Sequence, residues 1–174
     1  MISHPYLHEL FKACLLYDTD KVLLRLKNVY KNWKLVQDWK IVRAYQEYRL
    51  YSRKTKERKK ADVVWEMALA RSDLSHRIHV VHEVKTGYFD INEVFYDYAD
   101  FRTYKSDIAG GAYLWIWGWE KVIKKQTFSK NVENKIRYGG RIRLVPLDLI
   151  FPIIKVRLEE IGFKYVGRWS YAKT

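Results

Sequence analysis

The chain has 174 residues, a formal net charge of +13 and 48% hydrophobic residues. That length suits one compact domain with a real core, and the hydrophobic fraction excludes wholesale disorder. Cys14 is the only cysteine, which excludes an internal disulfide, a cysteine-held iron–sulfur cluster and a zinc ribbon and leaves a small core residue on a helix. No apolar run approaches the roughly 20 residues of a spanning helix, and the N-terminus lacks a basic-then-apolar signal pattern. The expectation is a soluble, intracellular protein whose positive excess meets a polyanion, nucleic acid rather than a membrane.

In chain order, Leu7, Leu10, Phe11, Cys14 and Leu15 recur at helical spacing and predict an amphipathic helix from about Pro5 to Tyr17. Asp18-Thr19-Asp20 offers a cap for a second element, and Lys21 to Tyr30 reads as a helix, although its apolar residues also fit a strand. Trp39 to Tyr51, rich in β-branched and aromatic residues, is predicted as one strand. A polar turn, Arg53 to Lys60, returns the chain as the strand Ala61 to Leu69, and the loop Ala70 to His76 leads to the strand Arg77 to Thr86. Gly87 ends that strand, and Asp90 or Asn92 caps a helix from about Ile91 to Ile108, whose Val94, Tyr98, Phe101 and Ile108 mark a sheet-facing side. Gly110-Gly111 stops it. Ala112 to Trp119 is nearly all apolar and predicts a strand buried on both faces. Lys121 to Lys135 is expected as loop, Gly139-Gly140 as a turn and Arg141 to Val145 as a strand. Ile153, Val156, Leu158 and Ile161 predict a last helix stopped by Gly162, and Tyr165 to Tyr171 an edge strand. No linker, repeat or low-complexity tract divides residues 1–174.

Candidate chemistry lies on two adjoining strands. Side chains alternate along a strand, so Glu83 and Lys85 share a face while Val84 between them points into the opposite, apolar layer. Asp62, on the strand before, completes a carboxylate pair beside a lysine. Mg²⁺ prefers hard oxygen ligands and retains several waters, which two carboxylates and a backbone carbonyl satisfy. The pattern suggests a metal-dependent phosphodiesterase.

The order of helix, three strands bearing Asp62 and then Glu83-x-Lys85, helix and buried strand resembles the PD-(D/E)XK nuclease superfamily, over roughly residues 39–119. Ala61 stands where the motif's name has proline. Asp100-Phe-Arg-Thr-Tyr104 lies where members related to RecB-type exonucleases carry Gln-x-x-x-Tyr, without the glutamine. In size and layout the chain resembles small archaeal and archaeal-virus nucleases, including Holliday-junction resolvases.

The resemblance implies an α/β, restriction-endonuclease-like core: a central mixed β-sheet flanked by helices in αβββαβ order, with C-terminal additions. It implies a Mg²⁺- or Mn²⁺-dependent deoxyribonuclease, an endonuclease on branched or duplex DNA. In it Asp62, Glu83 and the Val84 carbonyl hold the metal, Lys85 positions the attacking water, and products carry a 5′-phosphate and a 3′-hydroxyl. Families of this fold often use a further acid; Glu47 is preferred for it, with Glu9 and Glu66 as alternatives. A homodimer is the form that two symmetrical cuts require, although no motif specifies it.

Arg53, Lys54, Lys56, Arg58, Lys59 and Lys60, on the turn into Asp62, are the expected phosphate contacts, joined by Arg102 and Lys105 on the following helix. Lys121, Lys124, Lys125, Lys130, Lys135 and Arg137 form a second basic group, and either run also suits a solvated loop. His76, His79 and His82 do not converge as ligands, because alternation puts His79 on the face opposite the other two. His79 shares the Glu83 side, within reach of nucleic acid, yet reads better as structural or exposed. Most of the seven tryptophans and 14 tyrosines are expected in the core, with a minority free to stack on unpaired bases. The alternatives to a nuclease are a non-catalytic nucleic-acid-binding protein on the same fold and a basic subunit for an acidic protein partner.

Overall fold

The computed structural model describes residues 4–52, 58–71, 76–99, 101–103, 112–167 and 170–173. The helix α1 (His4–Tyr17) is followed by α2 (Thr19–Val29) and a short α3 (Lys34–Asp38). The strands β1 (Trp39–Gln46), β4 (Val63–Leu69), β5 (Arg77–Lys85), β7 (Tyr113–Gly118) and β8 (Ile142–Pro146) form one mixed sheet in the order β1-β4-β5-β7-β8. The pairs β1/β4 and β4/β5 are antiparallel, whereas β5/β7 and β7/β8 are parallel. Parallel neighbours need crossovers. α4 (Ile91–Ala99) lies in the first, and α5 (Glu120–Ile123) with α6 (Lys130–Gly139) in the second. The architecture is α/β, a five-stranded mixed sheet flanked by helices.

The segment predicted as one strand from Trp39 to Tyr51 is two. Glu47 adopts a left-handed φ of 49°, uncommon for a residue with a side chain. The chain swings out of the main sheet there into β2 (Arg49–Ser52), which pairs with β3 (Arg58–Lys60) and β6 (Phe101–Thr103) in a smaller sheet. The Glu47 N–H to Asp62 carbonyl bond (3.3 Å) and the Ala61 N–H to Tyr48 carbonyl bond (2.8 Å) hold the branch point. The helix predicted to Ile108 ends at Ala99, because residues 101–103 supply the third strand of the small sheet. The predicted loop Lys121 to Lys135 instead contains α5 and the first part of α6; Ser129 caps α6 with its side chain accepting from the Val132 N–H, and Gly140 ends it at φ 65°. After the 3₁₀ turn Leu147–Leu149 and α7 (Phe151–Glu160), the predicted last strand is a hairpin of β9 (Phe163–Gly167) and β10 (Ser170–Lys173).

Tryptophans dominate the sheet face under α1 to α3. Trp65, Trp115, Trp117 and Trp119 are fully buried; the Trp65 indole donates to the Leu15 carbonyl at 2.7 Å, and Trp33 packs on Trp115 with centroids 4.5 Å apart. Cys14 is buried here as a core residue. Asp18, at the start of α2, caps nothing with its side chain and instead accepts from Arg157 of α7 at 2.5 Å. α4 covers the other face near the carboxyl end of β5, with Val94, Phe95 and Tyr98 buried.

Candidate functional site

The last pair in the β4/β5 ladder is Val63 with His82. One step further, alternation puts Glu83 on the face away from His82, while Asp62 sits in the bend just before β4, at the end of the sheet where α1 also reaches it. Val84 is buried in the opposite layer, as alternation predicts. Lys85 Nζ lies 3.1 Å from Glu83 Oε1. The other Glu83 oxygen, Oε2, accepts from the Tyr98 hydroxyl of α4. Burial first, and then the neighbouring Glu83 charge, push the Tyr98 phenol far above its ordinary range, so it stays protonated and donates. Lys59 sits over the Tyr98 ring at 4.1 Å and pairs with Asp97 at 3.7 Å.

Asp62 is held from two sides. Its Oδ2 accepts the Val84 N–H at 2.8 Å and lies 3.4 Å from His8 Nε2 of α1. The other His8 nitrogen, Nδ1, is 3.5 Å from Glu9 Oε1, which also meets Lys12 Nζ at 3.5 Å. Burial raises the Asp62 pKa, but the His8 hydrogen bond and the Val84 N–H outweigh it and hold the carboxyl below its usual range. The Asp62 bond, opposed by burial, raises His8. An imidazolium donates from both nitrogens, which suits a ring set between two carboxylates.

The N–H and C=O of a strand residue face the same neighbour. The Val84 carbonyl is therefore directed, like its N–H, toward the edge where Asp62 stands. Two carboxylates and a carbonyl are hard donors that fit a largely hydrated Mg²⁺ or Mn²⁺, a cation that takes few protein ligands. They do not amount to a closed protein cage. Among the described residues no group of three or more His, Cys, Asp and Glu side chains is arranged to hold a metal ion.

Of the further acids considered from the sequence, Glu47 and Glu9 adjoin Asp62, whereas Glu66 stands opposite His79 four residues along β4 and is removed as a ligand beside Asp62. Glu47 adjoins Asp62 through its backbone, while its carboxylate meets Lys60 at 3.4 Å. Glu9 reaches Asp62 through His8. Glu66 accepts from the Tyr45 hydroxyl at 3.0 Å and lies 3.6 Å from Arg77 Nε. Of the expected phosphate contacts, Arg58, Lys59 and Lys60 form β3, beside the site through the Lys59 contacts with α4. Arg102 is on β6 rather than a helix, and Arg53, Lys54, Lys56 and Lys105 lie outside the described residues.

Two site residues are not apparent in the sequence. Helical spacing places Tyr98 on the apolar face of its helix, where its ring belongs, but its hydroxyl reaches the carboxylate. His8 lies on a helix far from the motif in sequence, and only its offset of one residue from Leu7 on the buried stripe hints at a rim position. His79 is 1% exposed, which removes it as a contact for nucleic acid. His82 is fully buried: Nδ1 accepts the Trp117 indole N–H at 2.9 Å, the ring packs edge-on to Trp65 at 4.2 Å, and burial depresses its pKa to about 3. It is a neutral core histidine with its proton on Nε2. No helix among the described residues is long and apolar enough to cross a membrane. No family model, no curated protein and no solved structure matches the chain.

Proposed function

We propose that this chain is a metal-dependent nuclease that hydrolyses DNA phosphodiester bonds with Mg²⁺ or Mn²⁺, on a restriction-endonuclease-like core. The observation that carries the reading is the bond from the Val84 N–H to Asp62, which brings one carboxylate against the backbone between Glu83 and Lys85. The sheet order supports it too, with Asp62 immediately before the second strand, the Glu-x-Lys closing the third and a parallel apolar strand beside it. A bound divalent cation supplies Lewis-acid polarisation of the phosphate and acidifies a water.

The protein's own groups do the rest. Asp62 and Glu83 supply negative oxygens, and their partners, Val84 and His8 on one side and Tyr98 on the other, hold them in place before any substrate arrives. Lys85, partly exposed beside Glu83, offers its ammonium to the charge that develops on phosphorus. Basic β3 contributes phosphate contacts next to the cleavage point.

The test is incubation of labelled branched, duplex and single-stranded DNA with Mg²⁺, Mn²⁺ or chelator, using the wild type and Asp62→Asn, Glu83→Gln and Lys85→Ala. Each substitution should lower cleavage by about 10² or more while metal-free DNA binding survives. Wild-type cleavage rates in Glu83→Gln would show that these residues are not the active centre.

One observation favours a second reading, a non-catalytic DNA-binding protein on the same fold. Glu83 is already satisfied by Lys85 and Tyr98, and Asp62 Oδ2 by Val84 and His8, so the cluster is stable without a cation. Salt-dependent binding with no cleavage of any substrate would select it.

A further inference from the structure

The loop from β5 to α4, which leaves the strand carrying Glu83 and Lys85, displays an exposed aromatic side chain. Tyr88 is 81% exposed, more than any other large hydrophobic residue among those described, and lies three residues beyond Lys85. The backbone around it is firmly held. The Trp119 indole donates to the Thr86 carbonyl at 2.9 Å. Gln126 donates from Nε2 to the Phe89 carbonyl and accepts the Ile91 N–H at Oε1, both at 2.7 Å. The buried Phe89 ring presses on Gly118 so closely that a Cβ there would stand 2.5 Å from Phe89 Cε1. Tyr88 is therefore fixed at its base and open at its ring. A rigid aromatic with only two side-chain torsions loses little entropy when a flat partner arrives.

Resting on the nuclease reading, we propose that Tyr88 is a stacking platform for an unpaired base next to the scissile phosphate, and that the substrate class is DNA with a single-stranded segment rather than a fully paired duplex. Every unpaired base offers a π-face to such a ring, whatever its identity. In a continuous duplex both faces of each base are already covered by its neighbours. Lys85, three residues before Tyr88, and the cations of β3 supply the phosphate contacts, so the strand is read by backbone charge together with base stacking.

The test uses the whole protein in chelator with an oligodeoxynucleotide carrying 2-aminopurine at successive positions, as a single strand and as a duplex. Wild type should quench the probe at one position of the single strand. Tyr88→Ala should abolish that quench and weaken single-strand affinity roughly 5- to 150-fold, leaving duplex affinity unchanged. Tyr88→Trp should retain both signals, and an unchanged thermal midpoint shows that the alanine variant is folded. Equal losses on single strand and duplex, no loss in Tyr88→Ala, or no responsive position would overturn the proposal. Failure of the nuclease reading looks different: no DNA is cut with either metal, yet the Tyr88-dependent quench persists. A wild type that binds no DNA overturns both.

Discussion

Replacing Tyr98 by phenylalanine removes one oxygen from the site and nothing else of size. The ring stays buried and keeps its face toward Lys59. What disappears is the hydroxyl donated to Glu83 Oε2, a hydrogen bond to a carboxylate whose side chain is only 13% exposed. Hydrogen bonds to charged groups contribute about 1.5–3 kcal/mol. For a chain of this size that corresponds to a fall in Tm of about 3–12 °C. Urea unfolding of wild type, Tyr98→Phe, Glu83→Ala and the double variant separates this bond from packing, because only the coupling between the two sites reports on it. On the nuclease reading the same substitution loosens a carboxylate that binds the cation, and Mg²⁺ affinity should fall by about 10- to 100-fold. A Tyr98→Phe variant as stable as wild type, with no coupling to Glu83, would refute the assignment of Tyr98 as the group that holds this carboxylate.

Replacing Arg58, Lys59 and Lys60 together by alanine should flatten the dependence of DNA affinity on salt, by a log–log slope of about 0.9 for each phosphate that is no longer neutralised; a slope equal to that of wild type in a salt titration would put the DNA-binding surface elsewhere. His82 has a folded pKa of about 3, below its unfolded value of about 6.5, so only the unfolded chain takes up its proton between those limits and stability falls by about 1.4 kcal/mol per pH unit as pH drops through that window. His82→Leu should lose this component between pH 6.5 and 4, above the range in which Asp62 contributes, and an unaltered slope in urea titrations would contradict it. Gly118→Ala drives a methyl into the Phe89 ring and should cost about 1–3 kcal/mol in chemical denaturation; a neutral result would mean that Phe89 moves freely.

Much of the scaffold was legible because it obeys short-range periodicities. The apolar stripe of α1, the apolar runs of β4, β5 and β7, and the shared face of Glu83 and Lys85 all follow from repeats of 3.6 and 2 residues. The same alternation correctly separated His79 from His82. Periodicity failed where the chain changes partner. Nothing local at Glu47 announces a left-handed residue, since the segment on either side has strand composition and only the competition of two sheets for it decides the break. Helical spacing carried Phe101 on from Val94 and Tyr98, yet Phe101–Thr103 pairs with β2, where its aromatic and β-branched residues suit a strand. The polar residues of α5 and α6 concealed helices whose buried contact is supplied by single residues such as Val122 and Val132.

For the site, the sequence by itself determined which residue types stand at the ends of two strands, because that needs only their order and alternation. The tertiary structure alone decided what each carboxylate touches. His8 comes from a helix 54 positions before Asp62, Tyr98 from a helix 15 positions after Glu83, and Val84 offers a backbone N–H that no side-chain pattern records. Charge and hydrogen bonding act through space over a few ångströms, and the chain brings those groups together only after the sheet has formed and the helices have packed on its two faces.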